Sequence, residues 1–275
     1  MQSNKDRERI LLFIPGYNCE KQILRVLEQL DDEVREFLTK VIVVNNRSND
    51  NTEQVVMDWG RLHTEVDLAL LRNDNNYSLG GSHKVAFEYA TNDGFDYIIV
   101  LHGDDQGNIR DLLPLLRDGI HRDFDCCLGT RFMKGSGLYG YSKLRTVGNK
   151  GFNLWFSIVT GRRIPDLGSG LNIYKIDSLK NRYYFKYPDK MFFNAVMILG
   201  ASYFKQKILF FPISWKEDDQ VSNVRLLSIG LELLKMTFLY IFRRKAYMHS
   251  DMRREIINEY TYQIVYENQI ISAEI

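Results

Sequence analysis

Short apolar runs and helically spaced apolar residues alternate through the first two thirds of the chain. Ile10 to Ile14 is an apolar run closed by Pro15-Gly16, which predicts a buried strand. Ile23, Val26, Leu27 and Leu30 then recur at helical spacing. The β-branched run Val41 to Val44 is stopped by Asn45-Asn46-Arg47-Ser48, and Ser48 or Asp50 is placed to cap the next helix. Asp67 to Leu71 predicts a third strand, and Gly80-Gly81 leads into a helix from about Ser82 to Ala90. Tyr97 to Leu101 predicts a fourth strand. Strands separated by helices imply βαβ units, a mostly parallel sheet and right-handed crossovers. Ligands of such sheets bind beyond the carboxyl ends of the strands, so the loops at 15–20, 45–50 and 102–107 are expected to converge on one site.

From about Cys126 the pattern loosens. A Gly-rich segment spans Lys134 to Gly140, a helix is predicted from about Ser142 to Thr160, and Ile208 to Ile213 reads as a late strand. Val224 to Phe242 reads as a long apolar helix, but Arg225, Glu232 and Lys235 argue against a membrane span. Those charges and Ser228 form one stripe at helical spacing and leave a broad apolar face. Residues 225–254 hold seven basic and two acidic side chains, with Arg243-Arg244-Lys245 directly after the apolar run. This predicts either a core helix or one lying in a membrane interface. Residues 246–275 give no firm reading.

The 275 residues suffice for one large domain, and 45% hydrophobic against 26% charged residues excludes a disordered chain. Thirty-six Lys and Arg against 35 Asp and Glu leave a net charge of +1, so no nucleic-acid partner is expected. Cys19, Cys126 and Cys127 follow no metal-like spacing and read as free thiols in a reducing compartment. Met1 to Arg9 is polar with no apolar run behind it, so a signal peptide is not expected and the cytosol is.

The loops carry the chemistry. His102-Gly103-Asp104-Asp105-Gln106 closes the fourth strand with oxygen donors that suit Mg²⁺ or Mn²⁺, or simply forms a polar turn capping the next helix. Tyr17 is placed to stack on a base or to pack. Gly80-Gly81 before a helix would let phosphates approach backbone amides.

Together these loops resemble the inverting family 2 glycosyltransferases of GT-A fold, nearest the polyprenyl-phosphate glycosyltransferases such as dolichol-phosphate mannose synthase. Ile14-Pro15-Gly16-Tyr17-Asn18-Cys19-Glu20 is similar to that family's "IPAYNEE", and Val43 to Thr52 to its "VVDDGSTDGT". Leu101 to Gln106 resembles "LDADGQ", the metal-binding element. Gly129-Thr130-Arg131 resembles "GSR", and Asp166 to Leu171 resembles "D-x-x-SGF". Phe211 to Trp215, followed by Ser222-Asn223, is similar to the late "VPI-x-W … SK" segment. The motifs fall in order over roughly residues 10–225.

The resemblance implies a GT-A catalytic domain over 1–222 and a helical segment over 223–275 for membrane contact or oligomerisation. It implies a nucleotide-diphosphate sugar donor bound by Pro15, Tyr17, Glu20, Asn45, Asn46, Gly81, Lys84 and Asp104. UDP or GDP is favoured; CDP becomes conceivable because an asparagine amide both donates and accepts, whereas an aspartate only accepts. Asp104, Gln106 and His102 would hold Mg²⁺ or Mn²⁺, and Arg131 and Arg145 an acceptor phosphate or the leaving diphosphate. Asp166 is the carboxylate expected as base or acceptor contact, with an internal ion-pair network of Arg131, Arg145 and Asp166 as the alternative. His102 stands for the first aspartate of the family's metal element, Asn45-Asn46 for two further aspartates, and Glu217 where many relatives carry an arginine. The function implied is metal-dependent sugar transfer to polyprenyl phosphate at the inner face of the plasma membrane. Transfer to a surface-glycan hydroxyl is the runner-up. A nucleotidyltransferase or an inactive binding module is the remaining alternative.

Overall fold

The computed structural model describes residues 7–218 and 226–268. In chain order the strands and helices are β1 (Ile10–Gly16), α1 (Ile23–Leu27), α2 (Asp32–Arg35), β2 (Lys40–Asn45), α3 (Thr52–Leu62), β3 (Leu68–Asn73), α4 (Ser78–Asn92), β4 (Tyr97–Leu101) and α5 (Leu113–Arg117). Then follow β5 (Cys126–Thr130), β6 (Gly137–Tyr139), α6 (Lys143–Thr160), β7 (Leu171–Lys175), α7 (Phe193–Tyr203), β8 (Ile208–Pro212), β9 (Ser214–Lys216), α8 (Leu226–His249) and β10 (Tyr262–Glu267). Eight strands form one sheet in the order β10-β3-β2-β1-β4-β7-β5-β8, and β6 and β9 form a separate two-stranded ribbon. The run β3-β2-β1-β4 is parallel throughout, as the βαβ reading requires.

Alternation along the strands builds a core on each face. Leu11 and Phe13 of β1 join α4, α7 and α8 on one side, while Leu12 and Ile14 join α1, α3 and α5 on the other. Burial on both faces explains why these strands read as continuous apolar runs. The three cysteines are free and buried.

Three elements differ from the expectation. Helix α4 begins at Ser78, so Gly80 and Gly81 lie inside its first turns instead of preceding it. Both are packing glycines: a Cβ on Gly80 would stand 2.5 Å from the Pro188 carbonyl oxygen, and one on Gly81 would stand 2.4 Å from Tyr77 Cβ. Helix α1 stops at Leu27, short of Leu30. Chain beyond 246 also gains a structure: β10 adds antiparallel to β3, at the edge of the main sheet.

Helix α8 has a buried face, as the core-helix reading expects, and an apolar face left exposed. Leu233, Met236 and Tyr240 are buried in the core, and Thr237 accepts a 2.8 Å hydrogen bond from Trp155 of α6. Leu231, Leu234, Phe238, Ile241 and Phe242 face outward. The helix runs on to His249, with non-helical backbone at Arg243. The expected charge Arg225 and the pair Ser222-Asn223 lie outside the described residues. Helix α6, closed by Gly161 in the left-handed region, also presents Leu144, Val147, Leu154 and Ile158 to the exterior. Among the described residues no helix is long and apolar enough to cross a membrane.

Candidate active site

The three loops do converge, held by backbone and short polar side chains. Gly16 O accepts the Asn46 amide at 2.9 Å, and Pro15 O accepts the Gly103 amide at 3.1 Å. Gly103 is required at that approach, because a Cβ there would lie 2.9 Å from the same Pro15 oxygen. The first two loops are laced together: Asn18 N donates to Ser48 Oγ, Asn49 N to Asn18 Oδ1, Glu20 N to Asp50 Oδ2, and Asn51 N to Glu20 Oε2. Asn18 sits at φ 49°, a conformation that asparagine tolerates well. Tyr17 projects from this frame half exposed.

Asn45 and Asn46 are buried, and both ends of each amide are engaged inside the protein. Asn46 Oδ1 accepts from Asn73 Nδ2 at 3.0 Å and Tyr77 N at 2.8 Å, while its Nδ2 donates to Asn76 Oδ1 at 2.8 Å. Asn45 Oδ1 accepts from Ser48 N and Oγ, and its Nδ2 donates to Glu53. An aspartate offers no donor for Asn76 or Glu53, which accounts for the amides at these positions. Where the resemblance implied contact with a base edge, both amides are here engaged in holding the loop after β2.

Lys84 is also corrected. Its ammonium is fully buried and donates to Tyr187 O and Asp189 Oδ1, both at 2.6 Å, and to the Tyr260 hydroxyl at 3.1 Å. Burial pulls its pKa down to about 8 against the opposing pull of Asp189. The lysine ties α4 to the segment before α7 and to the C-terminal chain, and Gly81 packs against Tyr77 and Tyr260. In this structure the Lys84 ammonium is spent on internal bonds and Gly81 on close packing.

Asp104 follows Gly103 in the loop that leaves β4. Burial, aided by the neighbouring charges of Asp105 and Glu217, pushes its carboxyl up to about 6. Asp105, at φ 57°, turns away to pair with Arg25 at 2.5 Å. Gln106 N donates to Asp104 Oδ1 at 3.3 Å, and Gln106 O accepts from Lys216 N of β9. Among the described residues no group of three or more His, Cys, Asp or Glu side chains is arranged to hold a metal. One carboxylate whose own charge is disfavoured by its surroundings nevertheless fits Mg²⁺ or Mn²⁺, which commonly take one or two protein carboxylates together with substrate phosphates. His102 packs against Gly170 and stands 6.1 Å from His83, ring centre to ring centre. Burial, with the charge of Arg131, drops its pKa to about 4, and among the described residues its Nε2 has no hydrogen-bond partner. It is a neutral imidazole near neutral pH.

Arg131 and Asp166 form a buried, bidentate pair. Arg131 Nε and Nη2 each donate to Asp166 at 2.8 Å, and its backbone N adds a third bond at 2.9 Å. Burial alone would lower the Arg131 pKa; Asp166 outweighs it and the guanidinium stays charged. The internal ion-pair alternative therefore describes these two side chains, and Asp166, expected as base or acceptor contact, is held by Arg131. Arg145 Nη1 donates to both Glu217 oxygens, at 2.8 and 2.7 Å, and its guanidinium lies 4.7 Å over the Tyr141 ring. This second pair is the more open to solvent.

Between α6, α7 and α8 runs a groove of about 550 Å³. Leu144, Phe152, Phe192 and Leu233 line its body; Arg131, Tyr141 and Arg145 line its polar end. The sequence missed Tyr141, which touches both arginines, and Asn194, whose buried Oδ1 has no partner among the described residues. Tyr141 had a positional signal, immediately before the Ser142 cap; Asn194 had none.

With this geometry in place, the model of "Glycosyl transferase family 2" matches residues 12–197. The chain belongs to glycosyltransferase family 2. It is a glycosyltransferase. It is 22% identical over 181 residues to a UDP-N-acetylglucosamine–dolichyl-phosphate N-acetylglucosaminyltransferase of Methanococcus voltae, covering 62% of this chain and 71% of that one. It is 19% identical over 247 residues to a dolichyl-phosphate beta-glucosyltransferase of Trichomonas vaginalis, covering 82% and 70%. Among solved structures it is similar to a mannosyltransferase from Pyrobaculum calidifontis in complex with GDP-Man and Mn²⁺, with a TM-score of 0.56 at 13% identity over 87% of this chain and 64% of that one. The mostly parallel sheet flanked by helices is the GT-A fold expected from the motifs.

Proposed function

We propose that this glycosyltransferase moves a sugar, with inversion, from a nucleotide-diphosphate sugar to a polyprenyl phosphate. The groove carries the reading: it is apolar along α6, α7 and α8 and ends in guanidinium groups. An apolar body with a cationic end matches a prenyl chain with a phosphate head. The sequence relatives named for dolichyl-phosphate transfer support the same acceptor. The nucleoside would lie over Pro15, Tyr17 and Glu20, with Tyr17 free to stack on its base. UDP, GDP and CDP all remain in the donor class.

Asp104 would hold the divalent ion, with Gln106 beside it. Bound there, Mg²⁺ or Mn²⁺ supplies positive charge against the negative charge growing on the leaving diphosphate. Arg145 orients the acceptor phosphate for attack on the anomeric carbon from the opposite face. A phosphate oxygen is already ionised and needs no base, consistent with an Asp166 held by Arg131. The outward apolar faces of α6 and α8, with Arg243, Arg244 and Lys245 at the end of α8, suit peripheral binding to the anionic cytoplasmic leaflet, where the acceptor resides.

The neutral pairing of Arg145 with Glu217 favours one second reading, transfer to an uncharged glycan hydroxyl. A panel of UDP-, GDP- and CDP-sugars with Mn²⁺ and farnesyl phosphate separates the two. Formation of a prenyl phosphosugar supports the first reading. Nucleoside diphosphate release only when an oligosaccharide acceptor is supplied supports the second.

A further inference from the structure

We infer that Glu217 is an internal stand-in for the acceptor's phosphate, holding Arg145 until an anionic head group displaces it. The inference rests on the polyprenyl-phosphate reading and adds a residue that moderates head-group affinity at that site. The two arginine–carboxylate pairs at the groove end are built differently. Asp166 is almost wholly buried and takes three hydrogen bonds from Arg131, so that pair is a fixed part of the wall. Arg145 and Glu217 keep 28% and 20% of their side-chain surface, and a single nitrogen, Nη1, makes both contacts. A partly solvated pair held through one nitrogen is the exchangeable one, because either member can rehydrate when separated.

The mounting of each partner fits exchange. Arg145 is in the first turn of α6, stacked on Tyr141, so its guanidinium stays aimed when the carboxylate leaves. Glu217 directly follows β9, anchored by its backbone N to Tyr139 O at 2.9 Å, so only its side chain must move. A phosphate offers the same oxygen pair as a carboxylate with more charge and a further oxygen, and so competes on better terms. An uncharged hydroxyl has no comparable claim on the guanidinium. Glu217 thereby sets how strongly an anionic head group must compete for Arg145.

The test is calorimetric titration of the full chain, without donor, by farnesyl phosphate, inorganic phosphate and farnesol in the same detergent. Glu217→Gln, which keeps the shape and removes the charge, is expected to tighten farnesyl phosphate at least fivefold and leave farnesol unchanged. A gain shared by inorganic phosphate assigns the effect to the head group; a gain confined to farnesyl phosphate assigns it to the head group seated by the chain. Glu217→Asp should fall between wild type and the glutamine variant, and Arg145→Gln added to Glu217→Gln should erase the gain. Equal affinities in wild type and Glu217→Gln overturn the inference, as does equal tightening of farnesol. So does a hundredfold loss of kcat at unchanged KM in a folded Glu217→Gln enzyme, which would make the carboxylate a base. If wild type turns over farnesyl phosphate while the affinities stay equal, only the role of Glu217 fails. If wild type uses no prenyl phosphate at all, the acceptor reading itself fails.

Discussion

The frame of loops proposed for the donor and the groove proposed for the acceptor are built by opposite means. On the donor side, backbone amides and short polar side chains lock the loops after β1 and β2 into one frame, tied to Gly103 through Pro15. On the acceptor side, apolar helix faces make the walls, and the polar groups are ion pairs between distant segments. A nucleotide needs a rigid, directional frame. A prenyl chain needs only an apolar slot and an anchored charge.

The largest effect is expected at Asp104. Asp104→Asn should lower transfer by three orders of magnitude or more, since losing a metal ligand costs several kcal/mol of transition-state stabilisation. The same change should stabilise the metal-free protein. The Asp104 pKa is raised to about 6 from an ordinary value of about 4. The protonated form is thus favoured by folding, and this stabilisation is present at pH 4 and lost as pH rises through 6. Metal-free melting temperature should fall over that window in wild type but less in Asp104→Asn, and added Mn²⁺ should raise it at pH 7 in wild type alone.

On the acceptor side, Arg131→Ala leaves Asp166 charged and buried, and should destabilise the fold by about 3–5 kcal/mol in denaturant melts. A variant as stable as wild type would mean that the pair is no fixed wall. Replacing Arg243, Arg244 and Lys245 together with Glu should weaken binding to anionic vesicles by about 1 kcal/mol per residue, with less difference at high salt. Wild type left in the supernatant at low salt would remove the membrane from the account. On the donor side, Asn46→Asp abolishes the donor to Asn76 and should cost about 1–3 kcal/mol of stability. The smallest effect is expected for His102→Asp, which restores paired oxygen ligands and should keep or raise activity; an inactive but folded variant would give His102 a role of its own.

The donor frame was the more legible half, for physical reasons. Val41 to Val44 and Tyr97 to Leu101 announce buried strands by themselves, and once those strands are parallel their loops must meet at one end. Lys84 misled because its partners, Asp189 and Tyr260, lie 105 and 176 positions away. Gly80-Gly81 looked like a loop because a glycine needed for close packing carries the same letter as one needed for a turn. Arg145 and Glu217 are 72 residues apart, and nothing local marks them as partners. The strand β10 stayed unread because Tyr262 to Glu267 is a half-exposed edge strand without regular alternation. Helix α8 defied a single assignment because it is apolar on both its buried and its outward faces.

In the proposed reaction one site joins a metal-held nucleotide sugar to an anionic lipid. The most direct measurement sets farnesyl phosphate against farnesol, with Mn²⁺ and the preferred nucleotide sugar, and follows the glycosylated product by mass. A prenyl phosphosugar is expected from farnesyl phosphate, with loss of that product on chelation or in Asp104→Asn, and none from farnesol. Product from farnesol at a comparable rate, or undiminished transfer after chelation, would contradict it.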